Sequence, residues 1–260
     1  NPMTHYFITG ASAGIGKSIA TKLCTGVASN DAGDTANQVS AVARRKDRLD
    51  ALSSELSNFF GVQADVTNAA QIAKAIDASI AKYGPINIAI LNAGMYVPQD
   101  GTSIDPSIYA THMDVNYMGV INALAAIVPH MIKVGGGKIV LISSVAGWRG
   151  LPRSAAYGPT KAALISLAES LMFDLRPKNI EIQVICPGFV ESEATAVNDF
   201  DMPGLMSSDA AADTIIKSIA LPDFLIHFPK SFTRKLALLR WLPDSWYFKI
   251  VGKQTGFAQE

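Results

Sequence analysis

Short runs of β-branched and apolar residues alternate with longer stretches of helical periodicity along almost the whole chain. The apolar runs lie at residues 5–9, 39–43, 61–65, 86–91, 138–143, 180–186 and 224–228, and the periodic stretches at 14–24, 48–59, 68–83, 107–132, 156–175 and 208–219. Strands alternating with helices predict βαβ units and a parallel sheet. Seven such strands make one doubly wound α/β domain, a mostly parallel seven-stranded sheet with helices on both faces. No Pro/Gly/Ser-rich linker divides it and no internal repeat is visible, so residues 1–228 are expected as this domain and 229–260 as its C-terminal extension. Two stretches break the rhythm. Residues 25–38 are a polar insertion between the first helix and second strand, and residues 191–207 are a long, helix-poor connection. Connections of that length are commonly functional, which makes the second a candidate substrate lid.

Of the 260 residues, 49% are apolar and 17% charged. That charged share lies below the usual figure of about 25% and argues against disorder. The 22 basic and 22 acidic residues cancel, so no nucleic-acid partner is expected from overall charge. The balance is uneven, since residues 221–260 hold six basic against three acidic side chains. Cys24 and Cys186 stand far apart in apolar runs. They read as reduced core thiols, and with no secretory signal at the amino end a cytoplasmic setting is expected. The uncharged run 115–132 contains Asn116, Asn122, Pro129 and His130, short of the roughly 20 apolar residues of a membrane span. His5, His112, His130 and His227 do not cluster with carboxylates or cysteines, so no metal site is expected.

The first strand leads through Thr9-Gly10-Ala11-Ser12-Ala13-Gly14-Ile15-Gly16 directly into a helix. Glycines there let the chain turn tightly and approach a pyrophosphate, whose charge the helix N-terminus then holds. Asn92-Ala93-Gly94 follows the fourth strand, Asn116 lies in the next helix, Ser144 follows the fifth strand, Tyr157 precedes Lys161 by four positions, and Pro187-Gly188 closes the sixth strand. Together and in this order, over the chain to about residue 228, these motifs resemble the short-chain dehydrogenase/reductase family.

The resemblance implies a Rossmann-like fold and an NADP(H)-dependent oxidoreductase of the carbonyl reductase type, interconverting a secondary alcohol and a ketone. A rival reading is a cofactor-binding regulatory or scaffold protein without turnover. Spacing of four places Tyr157 and Lys161 on one helix face. Tyr157 is then the acid/base, with the Lys161 ammonium, together with an oxidised nicotinamide, expected to favour its phenolate. By resemblance, Ser144 orients the carbonyl oxygen, Ser143 is a structural neighbour, and Asn116 supports a proton relay with Lys161. The competing reading of Asn116 is a buried tie between helix and sheet.

For the cofactor, the resemblance assigns the turn residues Gly10, Ser12, Gly14, Ile15 and Gly16, the strand-end residues Asn92, Ala93 and Gly94, and Pro187 and Gly188. It also assigns Asp65 and Val66 to the adenine, Val190 to the carboxamide, Lys161 with Tyr157 to the nicotinamide ribose, and Ser192 to a position where the family commonly has Thr. Counting about 20 residues from the glycines reaches Asp34, but this lies in the insertion. The second strand ends instead on Arg44-Arg45-Lys46, which suits a 2′-phosphate and therefore NADP(H). Arg44 is the leading candidate, with Arg45 beside it and Ser12 assisting. Met95, Tyr96, Val145, Trp148, Leu151 and Phe189 are expected to line the pocket with the lid, favouring a hydrophobic substrate; Arg149 or Arg153 offers the alternative of an anion.

In the tail, Phe232, Leu236, Leu239 and Leu242 align on one helical face beside Lys230, Arg234, Lys235 and Arg240. A subunit interface, a cover for the pocket and peripheral membrane contact are the readings it allows. Helices after the fourth and fifth strands form subunit contacts in this family, which implies a homodimer or homotetramer.

Overall fold

The structure, a computed structural model, describes residues 3–26, 37–193, 195–196 and 202–257. Seven strands, β1 (His5–Thr9), β2 (Gln38–Ala43), β3 (Phe59–Gln63), β4 (Ile88–Leu91), β5 (Gly137–Ile142), β6 (Ile180–Pro187) and β7 (Leu225–Phe228), form one sheet. Their order is β3-β2-β1-β4-β5-β6-β7 and every pairing is parallel. This is the doubly wound Rossmann-like arrangement, with its reversal of direction between β1 and β4. Helices α1 (Gly14–Thr25), α2 (Lys46–Glu55) and α3 (Ala69–Tyr83) come from the first half. The second half supplies α4 (Pro106–Met113), α5 (Gly119–Val134), α6 (Gly158–Leu175) and α7 (Ser208–Ile219), and the tail folds as α8 (Lys230–Leu239) and α9 (Asp244–Thr255).

Alternation along each strand divides the core into two layers. Phe7, Ala89, Leu91, Ile139, Leu141 and Val184 face α3, α5 and α6, where Ile72, Ile76, Ile127, Met131 and Leu164 pack. Ile8, Ile90, Val140 and Ile185 face α1, α2 and α7, meeting Ile19, Leu23, Leu49 and Ile215. Cys24 and Cys186 are buried and unbonded, and burial raises both thiols, to about 12 and about 11.

Boundaries depart from the sequence reading in instructive places. The third strand starts two residues early, at Phe59, because Leu56 ends α2 in an extended conformation. The 107–132 helix is interrupted by a π-helical turn, Asp114–Met118, at whose centre Asn116 is buried. By length and hydropathy residues 106–134 resemble a membrane-spanning helix, a test that a core helix also passes. The stretch is apolar because Val120, Ala123, Ile127 and Met131 are buried against the sheet. Most of the 25–38 insertion and part of the 191–207 connection lie outside the described residues.

Candidate active site

The predicted site residues converge at the carboxyl edge of the sheet, where the direction reversal opens a crevice. Gly10 follows β1 with φ 77°, and a Cβ there would sit 2.8 Å from the Ala93 Cα. A Cβ on Gly16 would collide with the Gly10 carbonyl. The turn is thus a contact of bare backbone with the β4 end. Thr9 Oγ1 accepts from the amides of Asn92 and Ala93, both at 3.0 Å, and Asn92 Nδ2 donates to the Thr9 and Gly10 carbonyls. α1 begins after Ala13 with no side-chain cap, leaving its first N–H groups open around Gly14 and Ile15.

β5 delivers Ser143 and Ser144. Ser143 Oγ donates to the Lys161 carbonyl at 2.8 Å, fixing α6 to the strand end, as a structural neighbour would. Ser144 Oγ accepts from the Ala146 amide at 3.1 Å. Lys161 is 3% exposed. Its Nζ donates to the Ile142 carbonyl at 2.9 Å and lies 5.5 Å from the centre of the Tyr157 ring. Burial lowers this ammonium to about 8. Burial also pushes the Tyr157 phenol up, to about 12, against a smaller downward pull from Ser144. The chain's own groups therefore favour the neutral phenol, whereas the sequence expectation enlisted Lys161 together with an oxidised nicotinamide to favour the phenolate. The cause is desolvation of the phenolate, which outweighs the hydrogen bond from Ser144.

Asn116 Oδ1 accepts from the Met95 amide at 2.7 Å, while Nδ2 donates to the Met95 carbonyl at 3.0 Å and to Thr160 Oγ1 at 3.1 Å. Thr160 Oγ1 in turn donates to the Tyr157 carbonyl. The π turn thus spaces an amide that ties the β4 exit to the first turn of α6. Gly94 lies between them, its Cβ position 3.3 Å from Asn116 Oδ1 and 3.5 Å from Lys161 Nζ.

The basic triplet separates. Arg45 donates through Nε and Nη2 to Ser12 Oγ, at 3.1 and 3.0 Å. Arg44 is exposed and Lys46 pairs with Asp50. Arg48, one turn into α2, joins Arg45, and both donate to the Glu193 carboxylate at 2.8 Å. Sequence reasoning missed Arg48, although its spacing of three from Arg45 on a helix was a usable signal. Glu193 carried no such signal, because only the fold brings residues 145 positions apart together. Thr195 was also missed; its hydroxyl accepts from the Ser192 amide and donates to the Val190 carbonyl.

Asp65 accepts from the amide and hydroxyl of Thr67, and the Val66 carbonyl accepts from Asn122. Gly188 N donates to the Phe228 carbonyl, seating the residues after Pro187 against β7. Around the pocket, Tyr96 meets Tyr157 edge-on at 5.1 Å, Trp148 meets His227 at 5.1 Å, and Phe189 packs on Phe232. Met95 and Leu151 are half-buried and Val145 is buried. The tail braces this wall. Arg149 donates to the Leu239 and Leu242 carbonyls, pairs with Asp244 and stacks on Tyr247, whose hydroxyl donates to the Gly150 carbonyl. Arg149 is thereby engaged in contacts with the tail.

The family model of short chain dehydrogenases matches residues 4–202. An uncharacterized oxidoreductase of Myxococcus xanthus is 34% identical over 242 residues, covering 91% of this chain and 92% of the relative. A 3-oxoacyl-(acyl-carrier-protein) reductase of Thermotoga maritima is 31% identical over 192 residues, covering 72% and 74%. Among solved structures, a short chain dehydrogenase from Burkholderia cenocepacia in complex with NADP superposes with a TM-score of 0.81 at 24% identity, covering 96% of this chain and 97% of that one. Fold, motif order and sequence match agree, and the chain belongs to the short chain dehydrogenase family of oxidoreductases.

Proposed function

We propose that the protein is an NADP(H)-dependent oxidoreductase interconverting a hydrophobic ketone and its secondary alcohol. The observation that carries this reading is the cluster of Ser144, Tyr157 and a buried Lys161 beside a glycine turn whose helix has open N–H groups. A phosphorylated dinucleotide fits these residues. The uncapped start of α1 suits a pyrophosphate, and Arg45 and Arg48, gathered at Ser12, suit a 2′-phosphate. When bound, the cofactor supplies or accepts the hydride.

The chain's own residues handle the proton and the oxygen. Tyr157, protonated at neutral pH, donates its phenolic proton to the carbonyl oxygen during reduction. Ser144 Oγ donates a hydrogen bond to the same oxygen and fixes its direction. Lys161 places a positive charge under the phenol as it loses its proton. Asn116 acts as a positioning residue, holding the Met95 backbone and the start of α6 in register. Tyr96, Trp148, Leu151 and Phe189 present rings and methyls to the substrate, which favours an apolar carbonyl compound. The names of the Thermotoga relative, a 3-oxoacyl reductase, and of the Burkholderia complex with NADP support reduction of a ketone with this cofactor. A homodimer or homotetramer through α5 and α6 fits Phe173, 82% exposed on α6.

The test is nicotinamide absorbance across a panel of apolar ketones and secondary alcohols, with NADPH and NADH, and Tyr157→Phe as control. Turnover that is lost in the variant is expected. Turnover that survives Tyr157→Phe removes the assigned acid, and no turnover on any carbonyl leaves the non-catalytic reading.

A further inference from the structure

The tail holds a surface that the oxidoreductase chemistry does not use. Between residues 230 and 257 stand six Lys and Arg against one Asp, and that Asp244 is already paired with Arg149. All six basic side chains are exposed. Among them five large apolar side chains also face solvent, Leu238 at 72%, Trp241 at 82%, Trp246 at 64%, Phe248 at 67% and Phe257 at 56% exposed.

These exposures are not fraying, because the same helices are anchored from their other side. On α9, Tyr247 and Val251, four apart, are buried, so Trp246, Lys249 and Lys253, at spacings of three and four, share the outward side with Phe248 on its flank. On α8, Phe232 and Leu236 pack toward the core and Thr233 is buried. Arg234 and Leu238, four apart, lie outward next to Lys235, and the exposed Trp241 follows in the turn after α8. Tryptophan interleaved with Lys and Arg on the outer side of short, pinned helices is the composition of segments that lie in the headgroup region of a bilayer.

We propose that α8 and α9 form a docking surface for an anionic phospholipid membrane, on which the enzyme sits peripherally. Charge decides between this occupant and a second copy of the chain. A two-fold contact brings the same patch of each subunit together, which would set this basic surface against itself. Cores of protein interfaces are also depleted in Lys. An anionic leaflet supplies the missing counter-charge, and the tryptophans and Leu238 supply apolar area without a preformed groove.

Sedimentation of the full-length protein with phosphatidylcholine vesicles, and with vesicles holding a third phosphatidylglycerol, tests this. Partitioning at least tenfold stronger onto the anionic vesicles is expected, falling with added salt. It should drop about tenfold in Trp241→Ser/Trp246→Ser and again in Arg234→Gln/Lys235→Gln, with far-UV circular dichroism and solution mass unchanged. Equal, weak partitioning onto both vesicles would overturn the proposal. So would a fall in solution mass in either variant without a change in vesicle binding, which would assign the surface to a second copy. None of these readouts requires turnover, so the result stands independently of the proposed reaction.

Discussion

Lys161→Met is expected to stabilise the protein while removing its activity. Lys161 is 3% exposed, and burial takes its ammonium from an ordinary 10.5 down to about 8. At 1.36 kcal/mol per pH decade this is on the order of 3 kcal/mol of desolvation carried by the native state at neutral pH. Methionine keeps the length of the stem and drops the charge. Against the gain stands the 2.9 Å bond from Nζ to the Ile142 carbonyl, whose loss leaves a buried acceptor unpaired at roughly 1–3 kcal/mol. The net is a stabilisation of about 1 kcal/mol, or a rise of about 2–4 °C in Tm. The pH dependence identifies the cause. Below pH 8 both native and unfolded chains carry the proton and the penalty is complete. Between about 8 and 10.5 the native state has released it while the unfolded chain retains it, so wild-type stability rises with pH and the variant's advantage fades. Equilibrium urea unfolding of both proteins at pH 7 and pH 10 measures the difference, and nicotinamide absorbance follows a loss of kcat of at least a hundredfold. A variant less stable than wild type at pH 7, or a difference that does not change with pH, refutes the desolvation argument.

Three further outcomes are expected. Arg45→Ala, which removes the guanidinium held at Ser12, should weaken NADPH binding about tenfold and leave NADH unchanged by fluorescence titration; equal effects on both would remove Arg45 from the phosphate. Glu193→Gln should tighten NADPH roughly two- to fivefold at low salt, the scale of screened surface pairs, because the carboxylate now occupies the donors of Arg45 and Arg48; no change, or equal tightening of NADH, would contradict that competition. The pH profile of kcat/KM for ketone reduction should be flat below about 8 and fall above it as Lys161 loses its proton, while Tyr157, raised to about 12, stays protonated; a flat profile to pH 10 would argue against a charged Lys161 in the step.

The fold was legible because each level of the sequence agreed with the next. Fully apolar runs marked strands, and 3.6-residue periodicity marked the helices covering both faces. The π turn was not legible. Its sequence, Asp114 to Met118, continues the helical pattern, and the extra residue arises from hydrogen bonds that Asn116 makes to Met95 and Thr160. The same contacts make Asn116 a tie between the β4 exit and the start of α6.

Membership of the candidate site was written in local motifs, whereas electrostatic state was not. Tyr157 and Lys161 share a helix face by spacing alone, and their types are the right ones for proton transfer. How far burial moves each group depends on α6 being pressed onto β5, which takes Lys161 out of water and leaves Tyr157 half-buried. Desolvation then acts on the pair in opposite senses, raising the phenol to about 12 and lowering the ammonium to about 8. The consequence concerns direction. Folded without further charge, this site favours a protonated Tyr157, the state that the proposed ketone reduction would consume. Alcohol oxidation needs the phenolate, so it needs positive charge beyond Lys161, of the kind an oxidised nicotinamide ring brings. A motif search finds the residues and is blind to this asymmetry, because the asymmetry belongs to the dielectric that the fold builds around them.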